Sequence, residues 1–262
     1  MITPSLLPDP RLLPFVATRR RELSVFGAPV EAVLVPDRKA RQGIAEPLRP
    51  PFARPRAADI VAAEAFWRDD GLALTPNRFP FAHQQRILWP TEPDREPDAA
   101  MWAAICAWVD ASAGTAMVNT IGAAASIARA HAHLTPESLP FLSTIGVDPG
   151  PLDLVELPAE VELVVARLPF HLLGIRGGSA TARGLTITRL AEARLTPSWN
   201  VVVQTGTAWL YPRRVEIPAP HFPSALGAAE LWGRWCYVAE EPFAAVSGQA
   251  LERALIEAGL EY

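Results

Sequence analysis

Two histidines in alternation, His131-Ala132-His133, follow a run of small residues, Asn119-Thr-Ile-Gly-Ala-Ala-Ala-Ser126. On a strand, alternation turns both imidazoles to one face of a sheet. Imidazole titrates near neutrality, so a neutral ring nitrogen there can act as nucleophile, base or ligand. A loop of small residues lets a ligand approach the backbone closely. The pattern therefore suits attack on a phosphate or its coordination. Two other readings stay open at this level. One is a metal pair, although two histidines with no nearby cysteine or carboxylate leave coordination incomplete. The other is a pair of ordinary strand histidines. The remaining histidines, His83, His171 and His221, are well separated. His83 and His221 sit beside prolines and aromatics and read as structural or surface groups. His171 reads as a strand residue between two halves.

The elements that must position the pair follow from periodicity. Val30–Pro36 alternates and is rich in β-branched residues, so it reads as a strand. Ala57–Asp69 has helical spacing, with Ile60, Ala63, Phe66 and Trp67 on one stripe. Leu72–Thr75 and Arg86–Trp89 read as strands around the loop Asn77-Arg-Phe-Pro-Phe81. Asp98–Ala111 reads as a helix with Trp102, Ile105, Cys106 and Val109 on one face. Ala116–Asn119 is a strand, then come the small-residue loop and the histidine strand. Beyond residue 150 a similar theme returns. Strands are expected over Val161–Leu168, Phe170–Arg176 and Cys236–Val238, with a hairpin of Trp199–Gln204 and Ala208–Tyr211. Helices are expected over Ala180–Arg194 and Ser247–Ala258, the latter with Ser247 as N-cap. The pattern predicts an α+β fold, a mostly antiparallel sheet with packed helices, in two pseudo-repeated halves. The Pro149-Gly150-Pro151 break divides residues 1–150, which carry the histidine pair, from residues 151–262.

Composition narrows the function classes. The 262 residues are 50% hydrophobic, enough for a sizeable core. A formal net charge of −4 argues against a general nucleic-acid binder. Arginine supplies nearly all the basic charge, and Lys39 is the single lysine. No apolar run approaches the ~20 residues that span a bilayer. Cys106 and Cys236 stand far apart and form no metal motif, so a reduced, cytoplasmic setting fits.

Four blocks occur in a fixed order: Asn77-Arg-Phe-Pro-Phe81; Asn119 to Ser126 with His131-Ala-His133; Leu168-Pro-Phe-His171; and Ser198-Trp-Asn-Val-Val-Val203 with Ala208-Trp-Leu-Tyr-Pro212. Together they resemble the ATP adenylyltransferase, or diadenosine tetraphosphate phosphorylase, family. That family belongs to the histidine-triad superfamily, alongside galactose-1-phosphate uridylyltransferase. The resemblance spans roughly residues 30 to 262. It implies a nucleotidyltransferase of phosphorylase type. His133 would attack the α-phosphorus of a nucleoside polyphosphate and carry the nucleotidyl group to an acceptor, typically phosphate. The nucleophile's other ring nitrogen is expected to donate to a backbone carbonyl. His131, backbone N–H groups around Gly122 to Ser126, the Ser126 hydroxyl and Lys39 are expected to meet the spread phosphate charge. The resemblance places Asn77 and Asn119 in the nucleotide pocket, where loop capping is the competing role. It also implies a nucleotide or nucleotide-like partner and a homodimer. A divalent ion accompanying the polyphosphate is compatible with this chemistry, although no ligand cluster is visible.

The chain departs from the family at three points. The family carries histidine or glutamine two residues past the nucleophile; here stands Thr135, followed by Pro136. A threonine hydroxyl can donate one hydrogen bond but is no general acid at neutral pH. The segment after Asn77 ends with Gln85 where the family has histidine. The gap between Ser126 and His131 is longer by two residues. These departures leave two other readings beside the first. One is a diverged enzyme of a specialised biosynthetic pathway with another transferred group or acceptor. The other is a non-catalytic nucleotide-binding protein.

Overall fold

The computed structural model describes residues 9–38, 54–69, 71–92, 94–151 and 154–261. Lys39 lies outside the described residues. Ten strands form one sheet in the order β3-β4-β5-β7-β6-β11-β12-β10-β9-β8. They are β3 (Trp67–Asp69), β4 (Leu72–Pro76), β5 (Arg86–Pro90), β6 (Thr115–Asn119), β7 (Ala132–Thr135), β8 (Val147–Pro149), β9 (Val161–Ala166), β10 (Leu173–Gly177), β11 (Ser198–Gln204) and β12 (Thr207–Arg213). Every neighbouring pair is antiparallel. The order is palindromic about the β6–β11 pair: β3-β4-β5-β7-β6 answers β8-β9-β10-β12-β11. The fold is α+β with two pseudo-repeated halves. β8 precedes the Pro149-Gly150-Pro151 break yet pairs with β9.

Side-chain alternation gives this sheet two different faces. Ala116, Val118, Ala132, Leu134, Val201, Val203, Ala208 and Leu210 point to one face. There they pack with the helices α2 (Ala99–Ser112) and α4 (Ala180–Ala193). Trp102, Ile105, Cys106 and Val109 on α2 are all buried in that core. Asp98 and Ser179 cap the two helices by accepting from Met101 and Ala182 N–H. The helices cross closely at Gly184, where a Cβ would lie 2.6 Å from the Ala103 nitrogen.

Met117, Val202 and Trp209 point the other way, into a second core. It is covered by a three-stranded sheet, β1 (Arg19–Val25), β2 (Ala28–Leu34) and β13 (Arg234–Tyr237), and by α3 (Phe141–Thr144), α5 (Ala228–Trp232), α6 (Glu240–Ala245) and α7 (Gly248–Ala258). β1 and β2 form a hairpin, while β13 joins β2 in parallel. The N-terminal and C-terminal segments of the chain thus close one layer together. Cys106 and Cys236 are buried and unbridged. Among the described residues no helix is long and apolar enough to cross a membrane.

Several expected boundaries shift. The helix expected over 57–69 runs as α1 over Arg54–Glu64, and Trp67–Asp69 forms β3. The open backbone edge of β4 pairs with this segment and overrides its helical spacing. Phe170 and His171 lie before β10, the first in an isolated bridge with Glu261 and the second bonded to the Leu260 carbonyl. His131 itself stands one residue ahead of β7.

Candidate functional site

β7 carries Ala132 and Leu134 into the helix-covered core, so His131, His133 and Thr135 face the opposite side. The register sets His133 between Ile87 on β5 and Met117 on β6. The two imidazole centroids lie 5.3 Å apart at 75°. They differ in surroundings. His131 is buried and stacks on Trp89 at 5.0 Å and 27°. Its Nδ1 donates to the Arg129 carbonyl at 2.7 Å, which leaves Nε2 as the unprotonated nitrogen of a neutral ring. Burial pushes its pKa below the ordinary value, and the carbonyl contact opposes this only in part. His133 is half-buried, with the Phe81 ring at 5.4 Å. The anchoring bond to a backbone carbonyl that was expected of the nucleophile is seen at His131.

The floor around the pair is braced from several directions. The Trp89 indole N–H donates to the Thr75 hydroxyl at 2.9 Å, fixing the plane on which His131 rests. Ala57 and Val61 on α1 pack with Ala73 and Trp89 on that side. The Phe81 carbonyl accepts from Arg234 at 3.0 Å, and the Arg38 guanidinium lies 5.1 Å over the Phe81 ring. Arg234 also pairs with Glu31 and Glu137, so β13, β2 and the strand end after β7 meet at one buried cation.

The small-residue loop makes a different use of its backbone from the one expected. Ala123 and Ala125 N–H both donate to the Thr120 carbonyl, at 2.9 and 3.2 Å. Ala124 N–H donates to Glu216 at 3.0 Å. Positive φ at Gly122 and Ala124 turns these groups inward, and Gly122 sits against Ser198, with little room for a Cβ. Three of the N–H groups expected to cradle phosphate are thus committed to the protein. Ser126 is exposed at the loop's outer end.

The other candidates are distributed as follows. Asn119 ends β6, on the face of the histidines, and its Oδ1 accepts from Asn200 and from Ala228 N–H, both at 2.8 Å. Asn77 is buried and shapes its own loop: Nδ2 donates to Gln85 and Oδ1 accepts from Phe79 N–H. Gln85 Oε1 receives both Asn77 and Phe81 N–H, while its buried Nε2 has no partner among the described residues. Thr135 is fully buried. Its hydroxyl donates to the His83 carbonyl at 2.8 Å and accepts from Glu137 N–H at 3.2 Å. Its single proton is therefore already placed. Asn200 and Arg213, which the sequence did not single out, stand behind Asn119: Asn200 bonds it directly and Arg213 bonds Asn200; Asn200 lay inside a quoted block but carried no signal of its own. Among the described residues no three His, Cys, Asp or Glu side chains are grouped to hold a metal ion.

The solved structures add one firm comparison. Yeast Ap4A phosphorylase Apa2 in complex with AMP superposes with a TM-score of 0.68 over 96% of this chain and 91% of its own, at 15% identity. This chain has the fold of that phosphorylase. The same protein in complex with Ap4A gives a TM-score of 0.68 at 14% identity, covering 96% and 92%. No family model and no curated protein matches the sequence. The likeness is one of fold, at 14–15% sequence identity.

Proposed function

We propose that the chain is a nucleotidyltransferase of phosphorylase type, acting on a nucleoside polyphosphate through His133. The observation that carries the reading is the His131–His133 pair on the sheet face away from α2 and α4, in a fold shared over 96% of this chain with an Ap4A phosphorylase. A neutral His133 nitrogen attacks the α-phosphorus. The N–P bond forms, the bridging P–O bond breaks, and the rest of the polyphosphate leaves with the electron pair. A phosphate oxygen then attacks the same phosphorus, the N–P bond breaks, and a nucleoside diphosphate departs. Two easier displacements replace one difficult one. His131, kept neutral by burial, supports the attacking ring without adding a charge beside it. Asn119 serves the nucleotide pocket, with Ser126, Gly122 and Lys39 on the polyphosphate side. Asn77 and Gln85 serve through the loop that seats Phe81 against His133.

The test is incubation with ATP or diadenosine tetraphosphate labelled at the α-phosphorus, followed by intact-mass measurement. A nucleotidyl adduct on the wild type that vanishes in His133→Ala supports the reading. No adduct and no turnover across a nucleotide panel sinks it. One observation favours the second reading, a diverged enzyme with another transferred group or acceptor. The Thr135 hydroxyl is engaged within the protein, where the family presents a side chain to the phosphate. Tight nucleotide binding without turnover, unchanged by His133→Ala, would instead mark a binding protein.

A further inference from the structure

Behind Asn119 a chain of hydrogen bonds has only one possible polarity. Arg213 on β12 is almost wholly buried. It donates to three backbone carbonyls, those of Ala258 (3.1 Å), Leu226 (2.6 Å) and Val215 (2.7 Å). It donates as well to Asn200 Oδ1, at 2.5 Å. A guanidinium has no acceptor, so the Asn200 oxygen must face it. The Asn200 amide nitrogen is thereby turned outward, and its two hydrogens go to Asn119 Oδ1 and the Ala123 carbonyl, both at 2.8 Å. Asn119 Oδ1 takes a second bond from Ala228 N–H. Its Nδ2 has no protein partner among the described residues, and the side chain is only partly buried.

The register says where that group stands. Met117 and His133 are opposed, then Val118 and Ala132. One further step sets Asn119 across from His131 on the histidine face.

We infer that Arg213, acting through Asn200, fixes Asn119 so that it offers a ligand its NH2 and never its oxygen. The ligand atom it takes is an acceptor oxygen, of a phosphate or of a ribose hydroxyl. Arg213 and Asn200 are positioning residues; neither needs to touch the ligand. Without the relay the Ala228 N–H alone would hold the Asn119 oxygen; with it that oxygen is pinned by two donors, and turning the amide over would lose both bonds. The inference rests on the nucleotide reading above.

Asn119→Asp separates this role from a structural one. The carboxylate keeps both internal bonds on one oxygen and replaces the NH2 by a second, anionic oxygen. Calorimetric titration with AMP is expected to show at least a tenfold weaker Kd for Asn119→Asp, with the thermal midpoint close to that of the wild type. Titration with adenosine distinguishes the two oxygens: weakening for AMP alone assigns the phosphate, weakening for both assigns the ribose. Asn200→Asp keeps the bond from Arg213 but loses both donors, and is expected to weaken AMP binding as well. Kd values within twofold of the wild type for Asn119→Asp overturn the inference and leave the nucleotide reading standing. Failure of the wild type to bind any nucleotide overturns both. Should the variants not fold, the wild type carries the test: AMP must shift the Asn119 side-chain NH2 resonances, and unmoved resonances in the bound state refute it.

Discussion

Replacing Thr135 by valine asks whether residue 135 acts on the substrate or on the protein. The two side chains are nearly isosteric, so the fully buried slot stays filled. The loss falls on two partners. The His83 carbonyl loses its donor at 2.8 Å, and Glu137 N–H loses its acceptor at 3.2 Å. An unsatisfied buried polar group costs about 1–3 kcal/mol. Both groups sit beside exposed residues, His83 and Pro136, so water recovers part of the loss. A net destabilisation of about 2 kcal/mol is expected. For a chain of this size that lowers Tm by roughly 4–8 °C. Thr135→Ser, which keeps both bonds, should lose much less. Thermal unfolding followed by circular dichroism reads the stability, and intact-mass detection of the nucleotidyl adduct, well below Tm, reads the chemistry. The expected outcome is a lowered Tm with adduct formation retained. An unchanged Tm with adduct formation abolished would refute the reasoning and place the Thr135 hydroxyl on the transferring group.

Burial holds the pKa of His131 and of His171 below the ordinary histidine value of 6.5, so the unfolded chain binds more protons than the folded one in mild acid. Unfolding free energy should therefore be fully present above about pH 6.5 and fall as the pH drops below it; urea titrations across pH 5–8 check this, and His131→Phe should make the slope shallower. Gly184→Ala forces a methyl to within 2.6 Å of the Ala103 nitrogen where α2 crosses α4, and overpacking of this kind costs about 1–3 kcal/mol, measurable as a lowered urea midpoint. Arg234→Met leaves Glu31 and Glu137 without their shared cation and frees the Phe81 carbonyl; a loss of about 3–5 kcal/mol is expected, and a variant as stable as the wild type in urea would contradict it.

Local signals were enough for much of this fold. The stripe on α2, the cap at Ser247 and the hairpin that turns at Gly206 are short-range features, and residues a few positions apart specify them. The alternation of His131 and His133 put both rings on one face for the same reason, since a strand repeats every two residues. β3 was misread because its residues fit a helix locally and only the free edge of β4 decides otherwise. What the sequence by itself determined is which residue types share a face and in what order the blocks come. The tertiary structure decided what each polar group has left to offer. It spent the Thr135 proton on a carbonyl 52 positions away and three loop N–H groups on Thr120 and Glu216. It also turned the Asn119 amide through partners 81 and 109 positions distant. Hydrogen bonds are settled by proximity in space, and no periodicity in the chain encodes contacts of that range.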